Sequence, residues 1–167
     1  MKNKFMQMIV GTFLGVLVLA CVAQILVFGQ ENRIDAQQSQ TLVGVWQTTV
    51  TQRNCMTGDP IGPAFQGVST YHEGGTAAED AASSSPSLRS SGHGIWNASN
   101  QFHPTVAFTF LRYNADGTFA GRNIVRQTLT IGASGNDFTS TGTVEVFAAN
   151  GTLIFAGCST ATATRFQ

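Results

Sequence analysis

Two residues near the start of the mature region and two at the far end of the chain fit one strand register, and this constrains the fold more than any other feature. Set antiparallel, segments 43–55 and 153–166 place facing residues at a constant index sum. Cys55 with Cys158 gives 213, and Trp46 with Arg165 gives 211, a diagonal neighbour within side-chain reach. Trp46 and Cys55 fall on opposite faces of an alternating strand, as do Arg165 and Cys158. First and last strands that pair with each other predict a sheet closed on itself.

The stretch between them reads as short alternating runs separated by turn signals, the pattern of an all-β barrel or sandwich. Asn114-Ala115-Asp116-Gly117, Gly132-Ala133-Ser134-Gly135-Asn136 and Asn150-Gly151 are the clearest turns. They delimit strands near 104–113, 118–131, 137–148 and 152–166. Earlier strands are expected at 42–54, 64–72 and 92–99. That makes seven, and an up-and-down barrel whose first and last strands are antiparallel needs an even count. The hairpin signal Glu73-Gly74-Gly75-Thr76 supplies the eighth, 76–81. The fold expected is a single eight-stranded antiparallel up-and-down barrel over 42–167. Segment 82–91, serine-rich and of low complexity, is expected to be a mobile loop.

Alternation also assigns the faces. On the last strand Phe155, Gly157, Ser159, Ala161, Ala163 and Arg165 share one face, and threonines crowd the other. The threonine face suits solvent, so the first set points inward. The interior candidates are Phe108, Phe110, Phe119, Asn123, Val125, Gln127, Phe138, Ser140 and Phe155. An eight-stranded barrel is just wide enough to be filled by side chains or to hold one small ligand. Asn123, Gln127 and Ser140 on adjacent strands are hard to satisfy in a packed core, which favours a cavity. Gly142 is expected to border it, with room enough that Gly142→Phe fills the void at little cost to stability.

The chain opens Met1-Lys2-Asn3-Lys4 and then runs uncharged from Phe5 to Phe28, a basic n-region followed by an apolar stretch. Residues 1–29 are expected to be a secretory signal, with 30–41 a polar tether. An uncleaved membrane anchor and a lipoprotein acylated at Cys21 stay open. All three readings place the domain outside the cytoplasm, secreted or periplasmic. The mature domain then keeps two cysteines, Cys55 and Cys158, and an oxidising compartment favours a disulfide between them. With Lys2 and Lys4 in the leader, seven arginines face nine carboxylates from Gln30 onward, a net charge of −2. Such a domain has no lysine for Schiff-base chemistry and no basic excess for phosphate, so nucleic acid is not an expected partner. The membrane is a partner only through an uncleaved leader.

Candidate catalytic groups are sparse. His72, His93 and His103 are separated by 21 and 10 residues, which fits no zinc spacing. His72 with Glu73 precedes the Gly74-Gly75 turn, and His93 sits between two glycines. These three, His93, His72 and Glu73, are the catalytic candidates, and they act together only if the fold gathers them. No metal or cofactor is expected. Glu79 and Asp80 are adjacent on one strand and face opposite ways.

Gly44-Val45-Trp46 on the first strand, an arginine ending the last, and one barrel between them resemble the calycin superfamily, with lipocalins nearest. The resemblance spans roughly 42–166 and rests on three residues and one arginine. It implies that Trp46 packs against Arg165 to close the barrel base. The lipocalin Thr-Asp-Tyr motif is absent. Segments 91–96 and 158–166 also resemble small exported bacterial β-barrel proteins. The function expected is an exported lipocalin-like barrel that binds a small, largely apolar molecule in its interior. An isomerase- or cyclase-type enzyme on the same barrel, and a structural envelope module with a filled core, are the alternatives.

Overall fold

The computed structural model describes residues 41–100 and 102–166. The leader and nearly all of the tether lie outside the described residues. Eight strands follow one another: β1 Gly44–Arg53, β2 Phe65–Tyr71, β3 Thr76–Ala81, β4 Gly92–Asn97, β5 Thr105–Tyr113, β6 Phe119–Ile131, β7 Asp137–Ala148 and β8 Leu153–Arg165. Each pairs antiparallel with the next, and β1 pairs with β8, so the sheet is a closed up-and-down barrel. This is the architecture that paired chain ends and an even strand count require, and it is compatible with a lipocalin-like fold. Among the described residues no helix is long and apolar enough to cross a membrane.

The seam has one register. Trp46 faces Arg165, and the ladder runs at that same index sum to Arg53 opposite Cys158. Trp46 and Arg165 are therefore the direct pair, and Cys55 is the diagonal neighbour that reaches back to Cys158. Their disulfide spans a Cα–Cα distance of 5.2 Å and closes a separation of 103 residues.

An up-and-down barrel puts alternate connections at opposite ends. The turns 72–75 and 132–136, the 98–104 connection and the strand ends at Gly44 and Arg165 share one end. The connections 54–64, 82–91, 114–118 and 149–152 share the other. The first end is plugged. Trp46, Leu42, Leu129, Tyr71, Phe138, Ile131, Val106 and Ala163 form one buried cluster there. Trp46 lies 4.9 Å from Phe138 between ring centroids and is wholly inaccessible. Leu42, two residues before β1, is buried there, and its carbonyl accepts the indole N–H of Trp46 at 2.9 Å. Burying such a plug of aromatic and branched side chains is favourable by roughly 25 cal/mol per Å² of apolar surface removed from water.

Arg165 fastens this end. Its guanidinium sits 4.2 Å from the Trp46 ring and donates to the carbonyls of Thr41, Val43 and Gly135. Gly135 occupies the β6–β7 turn at φ +70°, where a residue with a Cβ is disfavoured.

Candidate functional site

At the other end the inward side chains do not fill the barrel. They leave a cavity of about 110 Å³. Val50, Phe65, Phe108, Phe110, Val125 and Val144 give it apolar wall, and Gln52, Asn123, Gln127 and Ser159 add polar groups. Glu79 from β3, with Ser83 and Arg89 from the β3–β4 connection, completes the lining.

Alternation places each of these groups. Phe108 and Phe110 lie two apart on β5 and so share its inner face, as Asn123, Val125 and Gln127 do on β6. In the β5–β6 ladder Phe110 stands opposite Asn123 and Phe108 opposite Val125, so aromatic wall and amide face one another. The side-chain amide oxygen of Asn123, Oδ1, is buried without a hydrogen-bond partner, an acceptor aimed at nothing in the protein.

Glu79 and Arg89 are the charged part of the site. Glu79 faces inward from β3, opposite Gly92 of β4. A Cβ at Gly92 would stand 2.9 Å from the Glu79 carboxylate and 3.0 Å from the Phe108 ring, so the glycine leaves the space both occupy. Arg89 is only 8% exposed. Its Nη2 donates to Glu79 Oε2 at 2.6 Å, and its guanidinium carbon lies 3.9 Å from the Phe110 ring centre. Nη1 reaches the Ser83 hydroxyl at 3.3 Å and Nε the Ser90 carbonyl at 3.2 Å. Burial pushes the Glu79 carboxyl above the ordinary carboxylate range, more than the hydrogen bond and charge of Arg89 pull it down.

Segment 82–91 is thus tied to the barrel rather than free of it. A short 3₁₀ turn, Pro86–Leu88, leads into a stretch that bonds to β5, with the Ser90 N–H donating to the Leu111 carbonyl. Sequence reasoning missed both charges. The inward parity of position 79 was the available signal.

Of the nine interior candidates, Phe108, Phe110, Asn123, Val125 and Gln127 line the cavity. Phe138 and Ser140 face inward but belong to the plugged half, where both are buried and the Ser140 hydroxyl has no partner. Phe119 and Phe155 stand at the open rim, 47% and 55% exposed, because both lie near open-end strand termini. The Phe155 ring folds back over Gly157, 2.8 Å from where a Cβ there would be. The expectation for Gly142 needs correcting. A Cβ there would meet the Arg126 carbonyl at 2.5 Å and Gln127 Cγ at 2.7 Å, so β6 has already taken the space.

The three catalytic candidates are not gathered. His93 is exposed on the outer face of β4, opposite Ala78 and Thr109. His72 and Glu73 are exposed in the β2–β3 turn at the plugged end, where the His72 carbonyl accepts the Trp96 indole N–H. Among the described residues no three His, Cys, Asp or Glu side chains come together as a metal-ligand set. The outer wall carries a wider trough of about 640 Å³ across β4–β7, lined by Ile95, Ala107, Arg126 and threonines. Arg126 is paired there with Glu145.

No protein-family model and no curated protein matches the sequence. The solved structure of Rv2717c from M. tuberculosis is similar at 11% identity and a TM-score of 0.35, over 79% of this chain and 98% of that one.

Proposed function

We propose that the protein is an exported lipocalin-like barrel that binds a small, largely apolar molecule in the open half of its interior. The observation that carries this reading is the 110 Å³ cavity with three phenylalanines and three valines in its wall. Its size limits the ligand. Engineered apolar cavities of about 150 Å³ take up benzene, whereas drug-sized ligands need at least ~300 Å³. At 110 Å³ this cavity is smaller than those, so about one ring is the upper limit of the scale. The Cys55–Cys158 disulfide is consistent with an oxidising, extracytoplasmic location.

The small volume also favours a second reading, a structural envelope module whose core is nearly filled. Thermal unfolding with toluene separates the two. The binding reading expects a saturable rise in melting temperature, abolished by Val144→Phe, a substitution that fills the cavity and leaves the melting point of the free protein nearly unchanged. If toluene has no effect and Val144→Phe sharply lowers the melting point, the space is too small for a ligand and the structural reading stands. For the enzyme alternative, Glu79 and Arg89 are the ionisable groups that line the cavity, and His72 and His93 do not line it.

A further inference from the structure

The cavity is richer in acceptors and aromatic faces than an apolar ligand requires. Glu79 brings a largely buried carboxylate, Asn123 an unpartnered side-chain amide oxygen, and Phe110 a ring face. Those are the elements that hold an organic cation: a counter-charge, a hydrogen-bond acceptor and a π-surface. One cation is already seated there, the protein's own. The Arg89 guanidinium lies on Phe110 and against Glu79 as a bound ligand would.

Arg89 is also placed so that it can leave. The β3–β4 ladder has only four residue pairs and ends at Glu79 opposite Gly92. Beyond it the chain from Ala82 to Ser91 makes no ladder with β3, and Arg89 stands in the resulting gap. Its side chain borders both the interior cavity and an outer groove of about 550 Å³ beside β2 and β3. Asp80, facing the opposite way from Glu79, lines that outer groove, where it accepts a hydrogen bond from Ser91 at 2.6 Å. Two successive carboxylates thus lie on opposite faces of β3, Glu79 paired with Arg89 inside and Asp80 bonded to Ser91 outside. Arg112, another cation near this rim, donates to the carbonyls of Ala120 and Phe147 and does not line the cavity.

We propose that the ligand of this cavity is a small organic cation with an apolar, ring-sized body, and that Arg89 holds the cation's place until the ligand displaces it towards Asp80. The proposal rests on the binding reading above and gives it a chemical class. It also gives the β3–β4 gap a role as the entrance. A neutral ring of the same size leaves the Arg89–Glu79 pair intact and gains nothing from the carboxylate.

The test compares benzylammonium with its neutral isostere benzyl alcohol by isothermal titration calorimetry on the full exported protein. Wild type is expected to bind benzylammonium weakly, because each binding event must first expel Arg89. In Arg89→Ala that cost is removed, so affinity for benzylammonium rises tenfold or more while affinity for benzyl alcohol barely changes. In the double variant Arg89→Ala with Glu79→Gln, the preference for the cation disappears. Equal binding of the two probes to Arg89→Ala overturns the cation assignment and leaves the cavity reading standing. Failure of both probes on wild type and variant removes the cavity reading as well. Should Arg89→Ala not fold, the wild-type Arg89 Nε–H resonance, part of the guanidinium that lies on Phe110, gives the answer by NMR. It is expected to shift on titration with benzylammonium and not with benzyl alcohol, and no movement at saturation overturns the displacement.

Discussion

Arg165 stands directly across the β1–β8 ladder from Trp46, with its guanidinium 4.2 Å from the indole ring and its N–H groups on the carbonyls of Thr41, Val43 and Gly135. One side chain thus joins the chain entering β1, the last strand and the β6–β7 turn at the plugged end. Arg165→Met keeps the apolar stem but loses the cation–π contact and leaves these carbonyls unpaired. The expected cost is about 2–3 kcal/mol, the sum of a partly desolvated cation–π contact and lost charged hydrogen bonds. Urea unfolding measures it, and toluene binding at the far end should persist. A loss below ~0.5 kcal/mol would match an ordinary surface substitution and contradict the clamp.

The disulfide acts on the same seam at its other end. Cys55→Ser with Cys158→Ser removes a cross-link over 103 residues. Chain-entropy reasoning puts the expected loss at up to ~4–5 kcal/mol. The β signature in circular dichroism should survive, because the eleven-pair β6–β7 ladder and the plugged core do not depend on the bond. Collapse of that signature would mean that the hydrogen-bonded seam cannot close the barrel alone.

Glu79 gives a pH dependence of defined sign. Burial raises its carboxyl in the folded state above the ordinary range that it has when unfolded. The folded protein therefore holds this proton more tightly than the unfolded chain does. The stabilising contribution is complete below the unfolded value and is lost as pH rises through the raised folded value. Glu79→Gln cannot titrate, so the stability of wild type relative to this variant should fall as pH rises across that window and then level off. Paired urea titrations between about pH 4 and 8 cover it. A difference that grows with pH instead would show that the Arg89 ion pair outweighs burial.

Gly142→Phe is expected to destabilise by ~1–3 kcal/mol or more, since a side chain there drives into the Arg126 carbonyl and Gln127. Even Gly142→Ala should lower the melting point. If Gly142→Phe instead melts like wild type, β6 does not occupy the space.

The fold was legible because it depends on quantities that a linear sequence displays. Alternation sets faces, Gly and Asn/Asp mark turns, and the parity of the strand count demands β3, which is found at Thr76–Ala81. Even the closing pair Trp46 and Arg165 could be read, though the ladder follows their index sum rather than that of the cysteines. The site was legible only where lining follows from alternation, as for Phe108, Phe110, Asn123, Val125 and Gln127. Arg89 escaped because a serine-rich connection looks solvated, and nothing in its composition shows one long side chain turning back onto Glu79. Gly142 misled for a related reason. Whether a strand glycine leaves a void depends on how neighbouring side chains lean, and Gln127 leans over it. How far a barrel interior is filled depends on depth along the axis, which separates buried Phe138 from exposed Phe155 although both face inward.

The central claim is that the open half of the barrel holds a ligand. The most direct measurement is a crystal structure of the protein purified from its own host without added small molecules. The account predicts density for a compact, ring-sized molecule between Phe108, Phe110 and Val125, with a donor on the Asn123 side-chain amide oxygen. One or two waters bridging Asn123, Gln127 and Ser159, with Phe108 and Phe110 packed against Val125 and Val144, would contradict it and leave a structural barrel.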